Sequence, residues 1–257
     1  RLRVAYDGTD YCGWQRQNNG ATVEGELQKA LDQLFGPGVE LTGASRTDAG
    51  VHALGNVAVF DVETRIPPEK IAVALNHKLT ENIRILESEE VAPDFHPRYA
   101  KSEKTYEYTV IHTDIEIPTL ARYGYHVYQP LNVEAMQEVA ADLEGTHDFS
   151  AFCSAGAQVQ TKVRTVYEVQ VRQEPLTGVK GEKIVIRVRG NGFLYNMVRI
   201  LAGTLLAVVM GRLEPKAVAT IIAGKDRRAA GQTAEPQGLT LLEIFYDEKD
   251  LYEAAKN

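Results

Sequence analysis

The chain opens on an alternation. In RLRVAY, Leu2, Val4 and Tyr6 fall on one side of an extended backbone, the period of a half-buried strand. The period then lengthens. Thr22 can cap a helix running to about Phe35, with Glu24 and Glu26 in its first turn and Leu27, Leu31 and Leu34 facing inward. Gly36-Pro37 stops it. Strands are expected near residues 39–43 and 56–62, Pro67-Pro68 opens a second helix to about Leu79, and IRILES supplies another strand. This part reads β-α-β-β-α-β.

The same order returns further on. EKTYEYTVIH is a strand pattern with Tyr106, Tyr108 and Val110 on one face. Asn132 can cap a helix whose Met136, Val139 and Leu143 point inward, with Gly145 ending it. RTVYEVQVR and EKIVIRVRG follow as strands, then an apolar helix over 193–210, a short helix begun by Pro215 and ended by Gly224, and a closing strand in LTLLEIFY. Repetition of order, without repetition of residues, predicts an α+β fold of two split β-α-β-β-α-β halves. The halves are expected to share a largely antiparallel sheet with a cleft between them, the N-terminal half over 1–98 and the C-terminal half over 99–257.

Composition narrows the class. A chain of 257 residues can bury roughly three-quarters of its unfolded surface without a disulfide or metal staple. Cys12 and Cys153 are far apart and form no CxxC, which fits a reducing, cytoplasmic setting. The net charge of −7 argues against indiscriminate binding to nucleic acid or anionic membrane, while leaving room for a local basic cleft. FLYNMVRILAGTLLAVVM approaches the length of a membrane span, but Asn196 and Arg199 inside it make it a buried helix, and no membrane association is expected. Because the chain begins without Met, a residue or a few are expected to precede it, and no signal-peptide pattern is visible in the given sequence.

Several chemistries lack their signatures. The six histidines are scattered with no HExxH, there is no GxxxxGK[ST], and there is no GxSxG. GNG at 190–192 has Tyr195 where a dinucleotide fingerprint needs glycine. No metal and no cofactor are expected. What remains is a carboxylate tuned by its neighbours.

GASRTDAGVHA at 43–53 offers one. Asp48 stands among small residues, either as a turn aspartate bonded to its own backbone or as a carboxylate reachable by a large ligand. A nucleophilic or basic carboxylate must stay ionised although desolvated, so it needs a cation that keeps its proton, and arginine fits best. Arg199, inside the apolar helix, is a candidate partner or else a snorkelling side chain. Arg46 is a solvated surface residue or a nucleic-acid contact. Tyr106 is core packing or a surface on which a base stacks. Arg98, Lys101 and Lys104 flank it, and Lys162/Arg164, Arg187/Arg189 and Lys225/Arg227/Arg228 are further basic clusters, each a solvated face alone but together a possible phosphate-binding surface.

These residues fall in runs that closely resemble a known family, the bacterial tRNA pseudouridine synthases of type A. The runs are AYDGTDYCGWQRQ (5–17), SRTDAGVHA (45–53), DFHPRYAKSEKTYEYTV (94–110), GTHDFSAFC (145–153), FLYNMVRILAGTLL (193–206) and DRRAAGQTAEPQGLTLLEIFY (226–246), nearly end to end. The resemblance implies the pseudouridine synthase fold and isomerisation of uridine to pseudouridine at positions 38–40 of the tRNA anticodon stem-loop. It maps the catalytic aspartate to Asp48, a base-contacting tyrosine to Tyr106, an arginine that fills the place of the flipped-out base to Arg46, and the ion-pair partner of the aspartate to Arg199. It implies a homodimer with tRNA spanning both subunits, and no cofactor. One departure is Ser45, where the family is expected to carry glycine, which bears on the local backbone path. Competing readings are a non-catalytic tRNA-binding or chaperone protein on the same scaffold, and a carboxylate-dependent hydrolase of nucleosides that would release uracil.

Overall fold

The computed structural model describes residues 1–157 and 159–253. Residue 158 and residues 254–257, which the expected C-terminal half includes, lie outside the described residues. The chain forms two compact units, one of Arg1–Ser102 with the segment from Leu241 onward, the other of Glu103–Thr240. Both mix helices with mainly antiparallel strands, the α+β class that the alternating patterns predict.

The first unit runs β1 (Leu2–Tyr6), α1 (Val23–Phe35), β2 (Thr42–Gly43), β3 (His52–Val59), α2 (Pro68–Asn76) and β4 (Ile83–Ser88). β1 is central, antiparallel to β3 on one side and β4 on the other. Its inward residues Leu2, Val4 and Tyr6 are buried as the alternation requires. Thr22 caps α1 by accepting from the Gly25 amide at 3.2 Å, and Val23, Leu27, Ala30 and Leu31 form its buried stripe. Leu34, expected inside, is only half-buried. The strand expected over 39–43 shrinks to Thr42–Gly43 because the Val39 carbonyl accepts from the Gln28 side chain at 2.6 Å instead of from a neighbouring strand. α2 stops at Asn76, earlier than its pattern suggests, where the Asn76 amide bonds both the carbonyl and the N–H of Ile85 at 2.8 Å.

The second unit runs β5 (Ser102–His112), α3 (Pro118–Ala121), β6 (Tyr125–Val127), α4 (Val133–Ala140), β7 (Gly145–Asp148), β8 (Val163–Pro175), β9 (Glu182–Gly190), α5 (Met197–Val209) and α6 (Ala217–Gly224). β5, β9, β8 and β7 follow one another in antiparallel register, and β6 joins the far side of β5 in parallel. Gly145, expected to end a helix, instead begins β7; the helix has already closed at Ala140 and a 3-10 turn spans Ala141–Leu143. One face of this sheet carries Tyr108, Ile184, Ile186 and Val188, all fully buried, and α5 buries Ile200, Leu201 and Leu205. Truncating any one of these would cost about 2–5 kcal/mol. The apolar helix begins at Met197, four residues later than its hydrophobicity suggests, because Asn196 turns left-handed with φ of 60°.

β10 (Leu239–Tyr246) and α7 (Glu248–Tyr252) close the chain. β10 lies beside β3, so close that a Cβ on Gly55 would stand 2.4 Å from the Leu242 carbonyl oxygen. Tyr246 donates to the Pro97 carbonyl at 2.6 Å and meets the Phe95 ring edge-on at 5.1 Å.

Candidate active site

Asp48 sits in the connection from β2 to β3, and a buried polar frame holds that connection from beneath. The hydroxyls of Tyr6 and Thr47 are 2.8 Å apart. The Asn56 amide donates to the Tyr6 oxygen at 3.1 Å and to the Ser45 carbonyl at 3.0 Å. Asn56 is fully buried, and Ser45 and Thr47 nearly so, so each polar atom needs such a partner. Burial alternates along the loop: Ser45 and Thr47 are inside, Arg46 is exposed and Asp48 is half-buried. Ser45, where the family resemblance leads one to expect glycine, thus serves the frame through its carbonyl.

A second strand of chain locks the loop from the side. The Trp14 amide donates to the Thr47 carbonyl at 3.0 Å, and the Gly50 amide to the Tyr11 carbonyl at 3.3 Å. Approach this close needs glycine. Gly13 has φ of +92°, and a Cβ on it would stand 2.6 Å from the Thr47 oxygen; on Gly8 it would stand 2.0 Å from the Val51 oxygen. The small residues around Asp48 therefore serve interlocking backbones as well as access. Arg46, between two buried residues, takes no hydrogen bond or ion pair among the described residues and extends into solvent.

His52, to which the sequence gives no role, opens β3 as a buried residue whose Nδ1 is 3.1 Å from the Gly8 amide and 3.2 Å from an Asp7 carboxylate oxygen. Nδ1 serves one or the other: neutral with its proton on Nε2 it accepts from Gly8, and protonated it donates to Asp7. Either way it ties the end of β1 to β3, which is a structural task.

In the second unit, Tyr106 is buried on β5 and meets the Phe193 ring edge-on at 5.3 Å. Arg199, on the first turn of α5, is half-buried. Its Nε donates to the Ala234 carbonyl at 2.7 Å and its Nη1 to the Asn196 side chain at 2.9 Å. Asn196 in turn donates to Ser154 Oγ at 2.9 Å. Two bonds from different nitrogens fix the guanidinium plane, so Arg199 is held rather than snorkelling. Beside it, the Tyr108 hydroxyl donates to the Glu235 carbonyl at 2.8 Å. Burial pushes the Tyr108 pKa far above the ordinary phenol value, with the nearby Arg199 charge opposing.

The basic clusters resolve differently from one another. Arg187 and Arg172 both donate to one Glu107 oxygen at 2.8 Å, and Arg189 to Glu103 at 2.6 Å. Glu103 and Glu107 alternate with Tyr106 along β5, so this ladder of paired charges lies on the opposite face and is no open phosphate surface. Lys225 pairs with Asp148 at 2.8 Å and Arg228 with Asp226 at 2.8 Å. Lys104 shares the Tyr106 face, and burial together with the Arg164 charge lowers its pKa to about 8. No group of three or more metal-capable side chains is assembled among the described residues.

Of the four residues singled out from sequence, Arg46 and Asp48 share one loop of the first unit, while Tyr106 and Arg199 belong to the second. Sequence reading missed the frame of Tyr6, Thr47 and Asn56, because Tyr6 reads simply as an inward strand residue and its hydroxyl contact crosses more than forty positions. It also placed Asn196 inside the apolar helix, because the left-handed turn at that residue leaves no periodic mark. Lys104 did leave a signal, the two-residue spacing that puts it on the face of Tyr106 and Tyr108.

The family model for tRNA pseudouridine synthase matches residues 3–100 and 139–247. The chain is 45% identical to tRNA pseudouridine synthase A of Thermoanaerobacter sp. (strain X514) over 243 residues, 95% of this chain and 97% of that protein. It is 46% identical to the protein of the same name from Ruminiclostridium cellulolyticum, over 96% of this chain and 98% of that one. The protein of that name from Halalkalibacterium halodurans is also 46% identical, over 93% of this chain and 89% of its own length.

Proposed function

The chain belongs to the tRNA pseudouridine synthase family and isomerises uridine to pseudouridine in tRNA; we propose that its targets are the uridines at positions 38–40 of the anticodon stem-loop, with Asp48 as the catalytic carboxylate. What supports Asp48 is the loop it stands on. Its neighbours Ser45 and Thr47 are buried and bonded, so the backbone presents the half-buried carboxylate from a fixed platform, as a reacting group requires.

The reaction rearranges one nucleotide. The bond from N1 to C1′ breaks, the uracil turns, C5 bonds to C1′, the C5 proton leaves to solvent and N1 gains one. Nothing is added overall, so the base must be retained between cleavage and rejoining. An ionised Asp48 can add to uracil C6, attack C1′, or remove a proton from the 2′ carbon to form a glycal; each route uses the same carboxylate. Arg199 supplies the positive charge that keeps it ionised, because a guanidinium does not surrender its proton on burial. A fixed guanidinium plane on α5 suits that task.

A uridine in a stem must first leave its stack, which costs a few kcal/mol. Arg46, exposed on the same loop as Asp48, fills the vacated space, and the Tyr106 ring packs on the extruded base. The protein acts as a homodimer in the cytoplasm, with tRNA spanning both subunits. No helix among the described residues is long and apolar enough to cross a membrane. Mapping pseudouridine in tRNA transcripts treated with the enzyme tests the assignment: product at positions 38–40 is expected, and product elsewhere with those positions unmodified would overturn it.

A further inference from the structure

Thr204 has no part in the chemistry described so far, yet it is a polar residue fully buried in the apolar helix α5. Its hydroxyl donates to the Ile200 carbonyl at 2.7 Å. With that hydrogen committed, the oxygen is left to accept, and it takes the Gly231 amide at 2.9 Å. This bond fastens a segment without regular structure, residues 231–234, along the helix. Glycine lets the two backbones meet: a Cβ on Gly231 would stand 2.6 Å from the Gly203 carbonyl oxygen. The far end of the segment meets Arg199. The Ala234 amide donates to the Arg199 carbonyl at 3.2 Å, and Arg199 Nε donates back to the Ala234 carbonyl at 2.7 Å. Arg227 grips the same segment, donating from Nη1 to the Gly231 carbonyl at 2.9 Å and from Nη2 to Thr233 Oγ1 at 3.1 Å.

The carbonyl that orients the Arg199 guanidinium is therefore set by where the segment is held at Gly231. Five residues of helix separate Thr204 from Arg199, about 7.5 Å along the axis. The three steps from Gly231 to Ala234 reach at most about 10–11 Å. The segment has little slack, so a shift at Gly231 is passed on to the Ala234 carbonyl. We propose that Thr204 is a positioning residue for the isomerisation: by accepting from Gly231 it fixes the strap whose Ala234 carbonyl orients Arg199. This role rests on the reading of Arg199 as the cation that keeps the catalytic carboxylate ionised. A guanidinium released from its carbonyl keeps its charge but loses its aim, so loss of the Thr204 hydroxyl should slow the chemistry and spare tRNA binding. Valine is the informative replacement. It has the shape of threonine, leaves the Ile200 carbonyl its helical N–H partner, and strands the Gly231 amide alone.

The test compares the full chain with Thr204→Val and Thr204→Ser and, as a control on the reading itself, Arg199→Leu. With tRNA tritiated at uridine C5, Thr204→Val should lower turnover at saturating tRNA by on the order of tenfold and leave tRNA affinity near that of the parent. Thr204→Ser keeps the hydroxyl and should restore turnover. Nuclear magnetic resonance follows the Arg199 Nε–H, identified by its loss in Arg199→Lys. Bonded to the Ala234 carbonyl, it should exchange slowly with solvent in the parent and in Thr204→Ser, and about tenfold faster or more in Thr204→Val. Parent-like turnover in Thr204→Val, or slowed turnover with unchanged Nε–H exchange, would overturn the positioning role. If Thr204→Val does not fold, Thr233→Val decides, because it removes the side-chain acceptor of Arg227 from the same strap. It should show slower turnover and faster exchange, and a parent value of either counts against the proposal. Arg199→Leu turning over like the parent would remove the underlying reading. A slow Arg199→Leu beside a parent-like Thr204→Val would remove only the role of Thr204.

Discussion

The hydroxyl of Tyr6 on the first strand lies 2.8 Å from Oγ1 of Thr47, the residue immediately before Asp48. Asn56 completes the set by donating to the Tyr6 oxygen, and all three side chains are buried. Tyr6→Phe removes one hydroxyl and strands two polar groups. It should lower stability by about 1–3 kcal/mol, measured by urea unfolding, and lower kcat severalfold by loosening the loop, while tRNA affinity changes little.

Gly13→Ala tests the side clamp. Its φ of +92° is unfavourable for alanine, and the added Cβ would press on the Thr47 carbonyl oxygen at 2.6 Å. Strain of this kind costs about 1–3 kcal/mol, so the variant should unfold at lower urea concentration and turn over more slowly. By contrast Gly38→Ala, whose Cβ meets nothing within 4 Å although φ is +111°, should lose stability without a kcat effect. Equal kcat losses in the two would show that the loop contact at Gly13 is immaterial.

Much of this was legible beforehand, and the exceptions have a common cause. The buried faces of β1 and β5 and the capped start of α1 follow from spacing and from Thr22, all local properties. RTDAGVHA marked the Asp48 loop by resemblance. What spacing could not give was contact between distant polar groups: Gln28 taking the Val39 carbonyl, Asn76 reading Ile85, Glu103 and Glu107 neutralising the arginines of β9. Each depends on chain segments that meet only after folding, and each moved an element boundary or removed a basic patch from consideration. The Asn196 turn belongs with them, since hydrophobicity alone extends α5 through it.

Arg199 carries two tasks that different substitutions separate. Arg199→Leu removes the charge and both hydrogen bonds to Ala234 and Asn196, so turnover should fall by more than about a hundredfold, with a stability loss of about 1–3 kcal/mol. Arg199→Lys keeps a positive charge without the planar fork. It should retain measurable turnover above that of the leucine variant while losing similar stability. Turnover of Arg199→Leu equal to that of the parent would remove Arg199 from the chemistry and leave it a brace for the Ala234 segment.

Asp148 contributes to acid stability through its partner Lys225. The Lys225 ammonium, followed by Ser150, holds the Asp148 pKa down to about 2 from its ordinary 3.8. A carboxylate whose folded value is depressed stabilises above its unfolded value and loses that contribution as pH falls through the folded one. Lys225→Met should therefore lower the thermal midpoint at pH 5, and the difference from the parent should shrink as pH falls from 4 towards about 2. A difference that persists undiminished at pH 2 would place its origin in packing.

Asp48→Asn, combined with tRNA labelled with tritium at uridine C5, bears most directly on the catalytic assignment, because the C5 proton must leave when the new carbon–carbon bond forms. With enzyme in excess over tRNA, the parent should release tritium in a single exponential. The variant, matched in shape but without an ionisable carboxylate, should bind tRNA with similar affinity and release tritium at least about ten-thousandfold more slowly. Release by Asp48→Asn at a rate near the parent's would contradict the assignment of the chemistry to this carboxylate.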